Sequence, residues 1–214
     1  MKVLGSYKNA KEATTKALKT LISYMLDADS KMHQDFAKQY APTILNESST
    51  KIKSKKSPLA VVVFDIDDTL LFGWDNVTEN DEVVKLLKRL KDLKAEIHLI
   101  TARLKSKEVN ILTKEHLKAL GLEDFYHSLS LAPDKYRTSM AEVSKWKMET
   151  RKSIASMYQI PITLTVGDQW GDMVVLDKDE TILELDNQYH HKLYHFVRPE
   201  DKVSLWGLKL PDHK

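Results

Sequence analysis

Asp65 and Asp67 stand two residues apart at the end of the apolar run Val61-Val62-Val63-Phe64. A run of that kind suits a strand buried on both faces, and the alternation of an extended chain sends both aspartates to one side where the strand gives out. Two adjacent carboxylates in an apolar setting are costly unless a cation neutralises them, so the pair predicts a metal site. Two later segments offer further polar groups: Thr101 in Leu-Ile-Thr-Ala-Arg, and Asp168 and Asp172 in Gly-Asp-Gln-Trp-Gly-Asp. Singly, Thr101 reads as a strand-end or cap residue and Gly-Asp as an ordinary turn. Arriving in this order, each after its own apolar run, they read as parts of one centre.

The elements that must carry these residues alternate. Strands are expected over 60–66, 96–101, 127–131, 162–167 and 181–185. One helix starts near Thr78 and Asp81 and shows an apolar stripe through Val83, Val84, Leu87 and Leu90. A second carries Ile111, Leu112, Leu117 and Leu120 and stops at Gly121, and a third covers 141–158. This alternation predicts an α/β fold, a three-layer sandwich around a central parallel sheet, with ligands bound beyond the carboxyl ends of the strands. Little more than one helix separates Thr69 from Thr101, which leaves a minimal cap. The loop at Phe72, Gly73 and Trp74, with the N-terminal helices, is expected over the mouth.

The first 57 residues differ from the rest. Ala17, Leu18, Leu21, Ile22, Met25 and Leu26 recur at helical spacing, and a shorter pattern of Met32, Phe36 and Tyr40 precedes Pro42. Residues 48–57 are polar and lysine-rich and read as a solvated linker, with Pro58 at the entry to the first strand. The division expected is an N-terminal helical extension and linker over 1–57 and the main domain over 58–214.

Composition narrows the classes. A chain of 214 residues with 42% hydrophobic content suits one α/β domain with an appendage. Lys and Arg total 33 against 31 Asp and Glu, a net charge of +2, so no global field draws nucleic acid or acidic membrane. The absence of cysteine excludes disulfides, thiol catalysis and cysteine-ligated zinc and fits a reducing compartment. The N-terminus lacks a signal-peptide core, and no stretch approaches the roughly 20 apolar residues that span a bilayer, so the expected location is cytoplasmic. Glycine-rich phosphate loops are missing. His190, His191 and His195 read as a solvent-facing cluster rather than a metal pair, and Trp74 and Trp170 either stack on a base or pack at the core or rim.

The segments FDIDDTL, LITAR, a lysine and GDQWGD resemble the four signature motifs of the haloacid dehalogenase (HAD) superfamily of aspartyl phosphotransferases. Residues 55–198 are most similar to its acid phosphatase branch, which includes bacterial outer-membrane acid phosphatases and plant vegetative storage proteins. Gly-Asp-Gln-Trp-x-Asp is characteristic of that branch, as is the segment that here holds Trp146, Lys147, Arg151 and Lys152. Asp68 stands where the branch usually carries glutamate, and its leader and lipid-attachment cysteine are not seen.

The resemblance implies a HAD-like Rossmannoid fold and a Mg²⁺-dependent phosphomonoesterase. Asp65 would be the nucleophile that forms an aspartyl-phosphate, and Asp67 the general acid and then base. The Asp65 carboxylate, the Asp67 backbone carbonyl and Asp168 would hold Mg²⁺, with Asp172 on a metal-bound water or orienting the basic residue. Thr101 and the amides after Asp65 would meet the phosphoryl oxygens, and Lys147 would balance their charge, with Lys145 and Lys152 as substitutes. The expected partner is a small phosphorylated substrate, nucleotides included, and a dimer is compatible with the chain. The alternatives are a phosphotransferase or nucleic-acid end phosphatase and, in another class, a catalytically weak storage or interaction protein. Retention of the acidic cluster argues against the last.

Overall fold

The computed structural model of the protein describes residues 2–26, 58, 60–75, 77–158, 160–176, 191–196 and 203–211. The seed of the fold is β2 (Val61–Phe64), whose four residues are all buried. Alternation splits them between two layers: Val62 and Phe64 enter one hydrophobic cluster, Val61 and Val63 another. Because neither face meets water, the strand carries no polar residue until it ends, which is the pattern of a central parallel strand.

Around β2 lie β5 (Glu96–Leu104) on one side and β7 (Ile162–Gly167) on the other, both parallel to it. Strand β6 (Ser128–Ala132) extends the sheet beyond β5, and β9 (Ser204–Lys209) runs parallel beside β7. The far edge is antiparallel, formed by β8 (His191–His195) and β1 (Lys2–Tyr7). The seven-stranded order is β1-β8-β9-β7-β2-β5-β6. A mostly parallel sheet covered on both faces is the expected α/β class.

Helices α1 (Ala10–Leu26), α2 (Asp81–Asp92) and α3 (Lys107–Ala119) contribute to the larger cluster, and α4 (Met140–Tyr158) covers the opposite face. Ala13, Ala17, Leu21 and Tyr24 are buried at steps of four, four and three, so α1 turns one stripe inward. Gly121 follows α3 at φ +63°, a conformation that costs glycine little. Between β2 and α2 the insertion is a short ribbon of β3 (Leu71–Phe72) and β4 (Thr78–Glu79).

Several boundaries differ from the sequence reading. Strand β5 runs three residues past Thr101, and the first helix begins at Ala10, ahead of the apolar stripe. Strands β1, β8 and β9 were not anticipated, because β1 and β8 are mixed polar segments that pair only at the sheet edge. The expected strand over 181–185, the second N-terminal helix, the linker, the boundary at residue 57 and His190 lie outside the described residues. No described helix is long and apolar enough to cross a membrane.

Candidate active site

The chain runs from β2 to β5 to β6 on one side and returns through α4 to β7 on the other, so strand order reverses at β2. The carboxyl ends of β2, β5 and β7 therefore frame one crevice. A cavity of about 400 Å³ opens there, lined by Asp65, Asp67, Asp168 and Asp172 with Lys147 and Gln169. Ala102 from β5 and Met140 and Val143 from α4 give it an apolar wall.

Asp65 follows β2 directly and remains tied to β7, its amide donating to the Val166 carbonyl at 2.9 Å. Lys147 comes from α4. Its Nζ donates to Asp65 Oδ1 at 2.6 Å and to Asp172 Oδ1 at 2.5 Å, and all three residues are buried. Burial alone would push the lysine pKa down. Asp172 and Asp65 outweigh that effect, and the ammonium is held above its ordinary range. Of the three lysines weighed, Lys147 is the one in the centre, while Lys145 and Lys152 are exposed.

Asp168 ends β7. The Thr69 hydroxyl donates to its Oδ1 at 3.3 Å, and the Gln169 side-chain amide donates to its Oδ2 at 2.7 Å. Asp172 sits one turn on, where its Oδ2 accepts the Gln169 amide at 2.9 Å and its backbone carbonyl accepts from Arg151. Arg151 is the largest fully buried side chain, and burial pushes it down to about 10 against the pull of Asp172. Asp65, Asp168 and Asp172 are buried with carboxylate oxygens within 4.8 Å of one another. Burial, joined by repulsion from Asp172 and Asp168, raises Asp65 well above the carboxylate range even though Lys147 opposes it. Burial and Asp172 raise Asp168 to about 6. Three hard oxygen donors short of positive charge fit a divalent cation.

Asp67 takes a different partner. Its side chain is 40% exposed and faces Arg103, whose Nε lies 3.1 and 3.0 Å from the two carboxylate oxygens and whose Nη2 donates to Oδ1 at 2.7 Å. Thr101, expected on the phosphoryl oxygens, is fully buried and donates its hydroxyl to Asp67 Oδ2 at 3.1 Å. It is not among the residues lining the cavity. The expectation of both aspartates on one side holds in that both line the cavity, but regular strand pairing stops at Phe64. Asp68 adopts φ +54°, a left-handed turn that aspartate tolerates better than most side chains.

A family model described as HAD superfamily, subfamily IIIB (acid phosphatase) matches residues 73–192, more than half of the 214-residue chain. The chain belongs to that family. The matched span begins after Asp65 and Asp67 and takes in Thr101, Lys147, Asp168 and Asp172. No curated protein matches. Among solved structures, one chain of a Pnkp1/Rnl/Hen1 complex and one of a Pnkp1/Rnl/Hen1 RNA repair complex align with 59% of this chain at 16% identity and a TM-score of 0.41. The alignments cover 45% and 41% of those chains, so this chain spans less than half the length of the structures it matches.

Some residues at the centre escaped the sequence reading. Arg103 closes the LITAR segment, and a charge ending an apolar run was the signal available. Thr69, Gln169 and Asp68 lie inside the quoted motifs, but their contacts arise from turns that motif spacing does not encode. The expected cover over the mouth also differs. Trp74 packs over the Arg103 guanidinium at 4.4 Å, and α1 packs against α2 and β8, with neither lining the cavity.

Proposed function

We propose that this chain is a phosphomonoester hydrolase of small phosphorylated substrates that works through Asp65 as nucleophile and an aspartyl-phosphate intermediate, with a divalent cation, Mg²⁺ by its oxygen donors, as cofactor. The observation that carries the reading is the buried Asp65–Lys147–Asp172 chain at the cavity floor, with Asp168 within 4.8 Å. A structural role alone gives no reason to bury three carboxylates beside one lysine, since unpaired buried charge is strongly destabilising.

In the first step an Asp65 oxygen attacks phosphorus, the bond to the leaving oxygen breaks with its electron pair, and Asp67 supplies the proton that oxygen needs. In the second, Asp67 takes a proton from water, whose oxygen attacks the same phosphorus and releases Asp65 and phosphate. Lys147 holds the Asp65 oxygen in place and offsets charge at the floor, and the Asp168 and Asp172 carboxylates with the Asp67 backbone carbonyl would hold the cation beside Asp65. When bound, the cation neutralises negative charge gathered on the transferring group. Thr101 is assigned to Asp67 rather than to the phosphoryl oxygens, following its hydrogen bond.

The cavity volume is that of a small-molecule site. The apolar wall of Ala102, Met140 and Val143 would take the body of the leaving group, a nucleoside or another small alcohol. The test is phosphate release from an aryl phosphate and a nucleotide panel, with and without Mg²⁺, beside Asp65→Asn. Metal-dependent turnover that drops by about a thousandfold or more in the variant is expected. Equal activity in both proteins would overturn Asp65 as nucleophile.

A further inference from the structure

Arg103 is a nearly fully buried arginine. Its side chain is 2% exposed, yet it ends on a carboxylate that is 40% exposed and lines the cavity. The strand that carries it is irregular at that point: Thr101 pairs with Leu131 and Leu104 with Ala132, so Ala102 and Arg103 are extra residues against one partner step. Bulges of this kind re-aim a side chain, and here the Arg103 amide drops out of the ladder and donates to the Thr101 hydroxyl at 3.2 Å.

The rear of the guanidinium is fixed as firmly as its front. Nη1 donates to Thr113 Oγ1 at 3.1 Å, and the Thr113 hydroxyl donates in turn to the Val109 carbonyl at 2.7 Å, so its lone pairs face the arginine. Nη1 also lies 3.2 Å from His116 Nδ1, which must accept because arginine only donates. Trp74 covers the guanidinium face and stands edge-on to His116. Arg103 thus spans from the interior of α3 to Asp67, and its fork meets both carboxylate oxygens.

We infer that Arg103 is a positioning residue for Asp67, set by the β5 bulge and the Thr113–His116–Trp74 cradle so that the Asp67 carboxyl meets the leaving oxygen. The inference rests on the reading of Asp67 as acid and base. A carboxyl just past the end of a strand turns freely about its last torsion, and a two-point fork removes that freedom before substrate arrives. Lysine at the position would keep the charge and lose the fork.

The test compares kcat/KM, which reports the steps through departure of the leaving group, for an alkyl phosphate and for 2,4-dinitrophenyl phosphate. The alkyl alkoxide needs a proton to leave and the dinitrophenolate does not. Arg103→Lys should lose on the order of 10- to 100-fold on the alkyl ester and only a few-fold on the dinitrophenyl ester, with the same selectivity as Asp67→Asn. Trp74→Leu, at an exposed position, keeps the test available if the arginine variant folds poorly, and should shift the ratio in the same direction by a smaller factor. Equal losses on both esters in the Arg103 and Trp74 variants, with Asp67→Asn selective, would overturn the inference and leave the mechanism intact. Equal losses in Asp67→Asn would instead overturn its acid role.

Discussion

At the level of single residues the centre is defined by a shortage of positive charge. Asp168 ordinarily ionises near 3.8 but is raised to about 6 by burial and by Asp172, and Asp65 is raised too. The unfolded chain releases these protons first, so the folded state binds more protons from about pH 4 to 6 and loses stability as pH rises through that window. A cation on the same oxygens competes with those protons. Thermal unfolding with saturating Mg²⁺ and with chelator should therefore show a larger metal-induced rise in Tm at pH 7 than at pH 4.5. An equal rise at both would count against the Asp65, Asp168 and Asp172 oxygens as the metal ligands. The acidic residues were legible as a group because their types and order suffice. The pairing of Lys147 with two of them was legible only by resemblance, and the pairing of Arg103 with Asp67 was not legible at all.

Elements place these residues by where they stop. Strands β2 and β7 are buried throughout and give way to Asp65 and Asp168 as soon as they end, which brings residues about a hundred positions apart to one edge. The end of β7 leaves no room: a Cβ on Gly167 would overlap the Asp172 carboxylate. Gly167→Ala should push Asp172 away from Lys147 and Gln169. We expect a loss of activity on the order of 10²-fold, since small displacements of positioned groups are costly. The variant should retain the far-ultraviolet circular dichroism of the parent, and parental kinetics would show that the Asp172 position does not matter. Strand β7 was read from sequence with its observed bounds because β-branched residues run up to a glycine. Strand β5 was cut short at Thr101, because a bulge leaves no periodic mark.

Across the whole molecule, the end of the sheet opposite the cavity carries a second titratable feature. His98 in β5 is fully buried, with Nδ1 2.7 Å from Ser128 Oγ and no hydrogen-bond partner at Nε2 among the described residues. Burial, with a contribution from His127, pushes its pKa down to about 4. An unfolded chain protonates this histidine near 6.5, so between 6.5 and 4 the unfolded state binds more protons and stability falls as pH falls. The loss is on the order of 3 kcal/mol when complete, from 1.36 kcal/mol per pH unit. His98→Gln should narrow the gap in Tm between pH 7 and pH 4.5 relative to the parent, and an unchanged gap would remove His98 as its source. The carboxylates of the active site act in the opposite direction over this range, so the comparison with the parent isolates the histidine.

The sequence alone determined the α/β class, the central strand and its neighbours, and the aspartates and threonine brought to one edge. Those features depend on local periodicity and on residue types that have few other uses at strand ends. Tertiary structure alone decided the antiparallel edge of β1 and β8, the reach of Lys147 from α4 to two carboxylates, and the turn of Arg103 toward Asp67. Each of these is set by contacts between segments far apart in the chain, where the energy lies in burial and charge pairing that no single segment carries.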